Sequence, residues 1–504
     1  MSNAGDWGGG YITDIAYLPG YYRHQSPLHL HLACLLGGVA GLDLGPETPL
    51  SYIELGCGQG FGAAMLAACN PHWRVVGVDF NPAHVAAARA LCVEAGIANA
   101  AFVEADLAAG ADACDLPEAD VITLHGLWSW VGDAVRDGIV RILAAKLRPG
   151  GVAYVSYNAL PAWQGALGLQ RLLLEAGSRA GGRSDRQVAA GWDLAHALNE
   201  AGAPHLAGNA LAPALLGASR ELQIPYLAHE YMNAAWRPCF HADVVRALAA
   251  AKLDWVASAQ LLENFSQLML GDEARAVATR YDDPVMRELV KDMFLTRCLR
   301  QDMFVRGARR LDNAERDRAL CETMLALTCE EAQFAWEFEA PAGQARFEQR
   351  FFGPVVAALA EVPRRVSDLL ALPGLPRRDN PAELVGMLVG SRQALPVSGP
   401  ATAPDPRVRT MNRVVARRFV RPDNLDLGMA LAASGTGSPV PCPMLDLLIA
   451  DRLQDARAPD PAGWAAELGA GRPEAEQERL AAFIERVIAE RGPVWRRLGV
   501  LPPG

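Results

Sequence analysis

The stretch Leu50-Ser-Tyr-Ile-Glu-Leu-Gly-Cys-Gly-Gln-Gly60 runs from an apolar strand, closed by the acid Glu54, into glycines spaced two apart, Gly56, Gly58 and Gly60. A strand ending in such a turn feeds a helix whose first N–H groups face a ligand, and the missing side chains let the backbone come close. Working outward, Gly62 to Cys69 reads as that helix and Arg74 to Val78 as a second strand. Asn81-Pro82 opens a helix to Ala95, with proline in the first turn where its missing N–H costs little. Ala100 to Val103 and Asp120 to Leu124 read as strands and Asp133 to Leu147 as a helix; Pro149-Gly150-Gly151 is a tight turn into the strand Val152 to Tyr157. The alternation predicts an α/β fold, a parallel sheet with helices on both faces.

Three acids stand at successive strand ends. Asp79 closes the second strand, where a carboxylate accepts hydrogen bonds from both hydroxyls of a ribose. Asp106, just past the third strand, suits an adenine amino group. Cys57 in the turn, Phe80 and Leu107 after the two aspartates, and His125 past the fourth strand complete the expected cofactor contacts. The fold expected is therefore a Rossmann-like, nucleotide-binding sheet. A dinucleotide site is the competing reading, but it typically shows Gly-x-Gly-x-x-Gly and places a pyrophosphate at the turn. Glu54 repels a pyrophosphate there and suits the ammonium or the sulfonium-bearing end of S-adenosylmethionine.

At 504 residues the chain is long enough for about three domains. With 51% hydrophobic and 21% charged residues it reads as an ordinary globular protein. A net charge of -10 repels phosphate backbones, so nucleic acid is not an expected partner. Ten cysteines, at 34, 57, 69, 92, 114, 239, 298, 321, 329 and 442, form no Cys-x-x-Cys pair and match neither a disulfide framework nor a zinc site. His29 and His31 lack metal-ligand company and read as packing histidines, so no metal is expected. Met1 to Gly10 has no basic or apolar region of a signal peptide, and no apolar run of about 20 residues occurs, so a cytoplasmic protein without membrane contact is expected.

The organisation expected is an N-terminal segment over 1–47, the sheet domain over 48–265 with a helical insertion at about 160–238, a charged helical region over 266–345, a winged-helix module over 346–400 and a helical C-terminal domain over 401–504. Within the sheet domain, His241 to Lys252 reads as an amphipathic helix and Leu253 to Ala257 as a strand. Arg407, Arg409, Arg413, Arg417 and Arg418 form a basic run near the linker 399–406; such runs are usually solvated or paired faces.

Glu54 to Gly60 with Gly77-Val-Asp79 resembles class I S-adenosylmethionine-dependent methyltransferases. His125-Gly-Leu-Trp-Ser-Trp-Val131 and Leu147-Arg-Pro-Gly-Gly-Val-Ala-Tyr-Val-Ser-Tyr-Asn-Ala-Leu-Pro-Ala-Trp163 resemble more narrowly the methyltransferases with a methyltransferase regulatory domain, a group that includes the rickettsial-type protein-lysine methyltransferases. Tyr226-Leu-Ala-His-Glu-Tyr-Met-Asn233 looks like the start of that regulatory domain, and Leu431-Ala-Ala-Ser-Gly-Thr-Gly-Ser438 is similar to a C-terminal stretch of the group. Ala162 stands where the group's Pro-Gly-Trp version has glycine. The resemblance implies S-adenosylmethionine as cofactor and, in the characterised branch, a protein side chain as substrate, most readily a lysine amine. A small-molecule or cell-surface-precursor acceptor is the alternative, and a regulatory protein that binds the cofactor without turnover a third reading.

Methyl transfer from a sulfonium is an in-line displacement on an activated donor, so the protein has chiefly to align the nucleophile and exclude water. His125 follows the fourth strand, where the acceptor approaches, and either handles its proton or holds the loop. Trp128 and Trp130 either wall a lysine channel or pack in the core. Tyr157 and Asn158 end the fifth strand beside the same opening as candidate catalytic residues; Asn158 alternatively caps the turn into Pro161. His229 and Tyr231, with Glu230 and Asn233, complete a substrate pocket or form a structural network. Tyr11, Tyr17, Tyr21 and Tyr22 either close over the cofactor as a lid or pack on the sheet.

Overall fold

The computed structural model describes residues 8, 10–15, 17, 19–112, 115–207, 215–217, 224–376, 380–421, 424–455 and 458–502; Cys114 and part of the expected insertion lie outside them. Strands β1 (Ser51–Leu55), β2 (Arg74–Asp79), β3 (Ala100–Glu104), β4 (Ala119–Leu124), β5 (Leu147–Asn158), β6 (Leu253–Ser258) and β7 (Leu299–Arg306) form one sheet in the order β3-β2-β1-β4-β5-β7-β6. The first five run parallel, and β7 lies antiparallel between β5 and β6. Parallel strands covered on both faces read as near-continuous apolar runs, and β1 is buried at every position. One face packs under α1 (Pro27–Leu36), α2 (Phe61–Cys69) and α3 (Pro82–Ala95). The other packs under α4 (Asp133–Lys146) and, further along the chain, a helix at His241–Ala249. Helix α3 starts as its sequence requires: Asn81 Oδ1 accepts from the Ala83 amide and Pro82 fills the first turn.

Pro149-Gly150-Gly151 is not a turn before β5 but a bulge inside it. Gly150 has φ +79°, and the pairing with β4 slips from Ala119–Leu147 to Val121–Val152. Between β5 and β6 the chain builds α5 (Leu167–Ala180), α6 (Ser184–Glu200), α7 (Ile224–Tyr231) and α8 (His241–Ala249). The first three share a separate apolar core that includes Trp163, Leu173, Trp192 and Tyr231.

The region expected to be helical over 266–345 does contain α9 (Asp272–Ala278), α10 (Pro284–Phe294) and α11 (Asn313–Glu322). It also holds β7, so the sheet closes only at Arg306, beyond the expected boundary at 265. Strand β8 (Met324–Leu327) and the hairpin β9 (Glu337–Ala340)–β10 (Gly343–Arg346) follow. The stretch 346–400, expected as a winged-helix module, supplies α12 (Gln349–Glu361), β11 (Arg364–Arg365), α13 (Val366–Leu370), α14 (Pro381–Gly390) and β12 (Ala394–Val397). Its three-stranded sheet, β11-β8-β12, takes its central strand from outside that stretch.

The C-terminal part is helical, with α15 (Pro406–Phe419), α16 (Met444–Asp455), α17 (Pro461–Leu468) and α18 (Glu474–Arg497), interrupted by the hairpin β13 (Gly428–Leu431)–β14 (Val440–Pro443). It is stitched to the sheet domain: Asn70 Nδ2 donates to the Gly437 carbonyl at 2.9 Å, and the Ala433 amide reaches Cys69 Sγ. The basic run lies on α15, where Arg407 pairs with Asp405, Arg413 with Asp451 and Asp455, and Arg418 with Glu94. Among the described residues no helix is long and apolar enough to cross a membrane.

Candidate active site

The C-terminal ends of β1, β2 and β4 converge on the glycine turn. Gly56, Gly58 and Gly60 have φ +71°, +53° and +70°, the left-handed region that disfavours a side chain. The amides of Gly56 and Cys57 donate to the Val78 carbonyl at 2.8 and 3.0 Å, tying the turn to β2. The glycines differ in what they face. A Cβ on Gly60 would lie 2.4 Å from the Phe102 ring, whereas one on Gly58 would meet nothing within 4 Å. Gly60 thus serves packing and Gly58 borders open space. Cys57 is buried with its sulfur against Gly77, and burial pushes its thiol up, so it supports the turn as an inert group.

Glu54 is buried at the end of β1. Gln25 Nε2 donates to Glu54 Oε1 at 3.0 Å and to Thr123 Oγ1 at 3.2 Å, while Glu54 Oε2 has no hydrogen-bond partner among the described residues. Burial pushes the Glu54 carboxyl up to about 7; Gln25 opposes this and Asp79 adds to it. Asp79 accepts from the Gly58 amide on Oδ2 and from the Asn81 amide on Oδ1, at 2.8 and 2.9 Å, leaving further lone pairs on both oxygens. Phe80 is half-buried with the Tyr11 ring against it at 5.8 Å. Asp106 is exposed and its Oδ1 caps the Ala108 amide, while Leu107 packs in the core beneath.

On the acceptor side, His125 Nδ1 lies 2.7 Å from the Tyr154 hydroxyl, and Tyr22 stacks on the imidazole with centroids 3.7 Å apart. Burial pushes His125 down to about 3, so the ring is neutral. Asn158 is buried: its amide donates to Ser129 Oγ, its carbonyl accepts from Cys239, and its Oδ1 has no partner.

Tyr157 does not share that opening. Side chains alternate along a strand, so Tyr154 and Asn158 point one way and Tyr157 the other. Its hydroxyl joins Asp302 and, at 3.2 Å, His241 in a fully buried polar cluster. Trp128 packs in the core, with Arg136 over its ring and bonded to its carbonyl, and is not a channel wall. Trp130 is buried beside it. Tyr231 packs edge-on against Trp192 at 5.3 Å inside the core of the inserted helices, away from the sheet.

His229 does reach the site. Its Nε2 lies 2.9 Å from the Ile15 carbonyl, and its ring meets Tyr17 at 5.1 Å and Tyr11 at 5.7 Å. The N-terminal segment is thereby laid across the sheet ends. Gln59 Nε2 holds the Tyr17 carbonyl at 2.8 Å, the Ile12 amide donates to Asn233 Oδ1, and Tyr21 instead packs against the main core. Beside His229, Glu230 is half-buried and has no hydrogen-bond or ion-pair partner among the described residues. Burial raises the hydroxyl pKa of Tyr11, Tyr17, Tyr22, Tyr226 and Tyr231, and the charge of Glu230 adds to it. Gln25, Tyr154 and Thr123 escaped sequence reasoning; the alternation of β5 was the signal available for Tyr154.

A family model described as a methyltransferase domain matches residues 53–151, and one described as a predicted methyltransferase regulatory domain matches residues 224–306. The second match runs from α7 through β7, so it covers the helix bearing His229 and both strands that close the sheet. Protein sll1526 of Synechocystis sp. is 32% identical over 363 residues, 72% of this chain and 71% of that protein. Trans-aconitate 2-methyltransferase of Methylobacterium radiotolerans is 31% identical over 212 residues, 42% of this chain and 68% of that enzyme. PKMT2 from Rickettsia typhi in complex with AdoHcy shares the fold with a TM-score of 0.71 over 97% of this chain and 100% of its own, at 15% identity. The chain therefore belongs to the class I S-adenosylmethionine-dependent methyltransferases that carry a methyltransferase regulatory domain.

Proposed function

We propose that this methyltransferase acts on a protein side-chain amine, that of lysine. The cofactor fits the residues present: Glu54 offers an orphaned buried oxygen to its ammonium, Asp79 offers lone pairs to its ribose, and Gly58 leaves room between them. S-adenosylmethionine supplies a sulfonium methyl, which passes to nitrogen as the N–C bond forms and the C–S pair returns to sulfur. Asp106 and Phe80 stand where an adenine would be held.

The observation that carries the amine reading is the character of the acceptor side. Asn158 Oδ1 is a buried acceptor without a donor among the described residues, and His125, after the neighbouring strand β4, is a neutral ring. Such a site awaits N–H groups. Tyr22, His125, Asn158, His229 and Glu230 include no fixed cation, so a tricarboxylate acceptor like the one in the name trans-aconitate 2-methyltransferase finds nothing among them to pair with and is repelled by Glu54, Asp79 and Glu230. The resemblance to rickettsial-type protein-lysine methyltransferases points the same way.

The test is transfer of radiolabelled methyl from S-adenosylmethionine to cell extract, followed by acid hydrolysis of the labelled protein. Recovery of label as methyl-lysine, absent with Asp79→Ala, supports the reading. Label confined to small molecules refutes it.

A further inference from the structure

Among the described residues the buried carboxylates differ in their partners. Glu288, Asp292, Asp302 and Asp446 are each paired with lysine or arginine. Asp79 has His84 and two backbone amides, whereas buried Glu54 and half-buried Glu230 have no cationic partner among the described residues, although withdrawing an unpaired carboxylate from water is costly. The cofactor's ammonium accounts for Glu54. Among the described residues Glu230 is left without a counter-charge, next to His229, through which α7 meets the N-terminal segment.

Its surroundings are aromatic. Tyr11 and Tyr17 meet the ring of the neighbouring His229, Tyr22 faces the Tyr17 hydroxyl and stacks on His125, and Tyr226 lies one helical turn before Glu230. Tyrosine faces attract an alkylammonium and tolerate its methylated forms, which keep their charge but lose N–H donors. The group is continuous with the rest of the site: Tyr11 touches Phe80 after β2, and Tyr22 touches His125 after β4.

Resting on the lysine reading above, we propose that Glu230, within the tyrosines Tyr11, Tyr17, Tyr22 and Tyr226, binds the acceptor ammonium and takes the proton its nitrogen must lose. The N–H bond breaks with its electron pair left on nitrogen as the nucleophilic lone pair, and the proton goes to the carboxylate and then to solvent. The carboxyl's own position suits this work: burial pushes it up to about 7, and the groups facing it are Tyr11, Tyr17 and Tyr22 from the N-terminal segment and Tyr226, His229 and Tyr231 from its own helix. A base near neutrality is half ionised at working pH and accepts a proton readily.

The experiment compares the full-length wild type with Glu230→Gln and Glu230→Asp. Three quantities are read: calorimetric affinity for S-adenosylhomocysteine, binding of Nα-acetyl-lysine amide to the S-adenosylhomocysteine-saturated protein by NMR, and the pH profile of transfer to protein lysine in extract. S-adenosylhomocysteine affinity stays within about twofold in both variants, which also shows them folded. Glu230→Gln binds the lysine probe at least about tenfold more weakly, transfers at least about 100-fold more slowly and loses the acid-side inflection, while Glu230→Asp recovers part of the rate. If Glu230→Gln binds the probe and methylates lysine as the wild type does, Glu230 has no such role and the lysine reading stands. If the wild type labels no lysine, the reading falls and this proposal falls with it.

Discussion

The amide of Gly58 donates to Asp79 Oδ2 at 2.8 Å across 21 residues, so the glycine turn after β1 and the acid that ends β2 form one unit. The same carboxylate holds the Asn81 amide that opens α3. Its orientation is therefore set before a ribose arrives, and little ordering cost remains for binding.

Asp79→Ala removes both the ribose acceptors and the restraint on the turn. Hydrogen bonds to a charged group contribute about 1.5–3 kcal/mol each, so S-adenosylmethionine affinity falls by at least about tenfold in calorimetry. Asp79→Asn, which keeps one oxygen acceptor, falls between the two. Equal affinity for Asp79→Ala and wild type would remove the ribose from this end of β2.

Glu54 makes cofactor binding depend on pH. With its carboxyl raised to about 7, about 90% is protonated at pH 6, and pairing with an ammonium requires ionisation. Binding at pH 6 therefore releases close to one proton, and affinity rises about tenfold between pH 6 and pH 8. The sign reverses for the ligand-free protein. A carboxyl raised in the folded state contributes stability below its unfolded value of 4.5, lost as pH rises through about 7. Calorimetry in buffers of different ionisation enthalpy measures the proton release, and Glu54→Gln abolishes it.

What was legible in the sequence was the part of the sheet whose burial is apolar. Ser51 to Leu55 and Arg74 to Asp79 are strands covered on both faces, so hydrophobic runs betray them, and the glycines between them have one conformational use. β7 escaped because Arg300 and Asp302 occupy buried positions in it, and a pattern reader takes such charges for a solvated helix. Their pairing with each other and contacts across sequence, from α10, β5 and α8, make those charges tolerable. Tyr157 was misplaced for a local reason: its neighbours Ser156 and Asn158 face the site, and a strand sends the residue between them to the other side. Trp128 and Tyr231 carried the ambiguity of any aromatic, which packing alone resolves.

His125 is neutral at any working pH, since burial holds it near 3. It is therefore a poor acceptor for the proton of an ammonium, and on the proposed function its part is to position the acceptor. His125→Ala lowers kcat by about 10- to 100-fold, since one misplaced contact in an aligned displacement costs this much, and the acid-side inflection of the profile survives. Tyr154→Phe, which removes the 2.7 Å partner of Nδ1, has a smaller effect in the same direction. Loss of that inflection in His125→Ala, measured by initial rates from pH 5.5 to 9.5, would instead make the histidine the titrating group.

The buried cluster behind β5 makes the regulatory segment inseparable from the sheet. Arg300 on β7 donates to Asp302 on the same strand and to Asp292 and Glu288 on α10, and Asp302 in turn accepts from the Tyr157 hydroxyl on β5 and bonds His241 at the start of α8. Removing one partner strands the others, and breaking a buried pair this way costs about 3–5 kcal/mol. Asp302→Ala therefore lowers the denaturant midpoint sharply and lowers transfer indirectly, through β5 and the Asn158 at its end. The pH dependence follows from the pairing: Arg300 holds Asp302 well below the usual carboxylate range, and Lys291, Arg300 and Arg297 hold Glu288 down at about 2. Carboxyls lowered in the folded state contribute stability above their unfolded values, lost as pH falls through their folded ones. Wild type thus loses stability steeply between about pH 4.5 and 2, and Asp302→Ala, already without part of the cluster, loses less over that window. Parallel acid-unfolding curves for the two proteins would show instead that the cluster carries no net stabilisation.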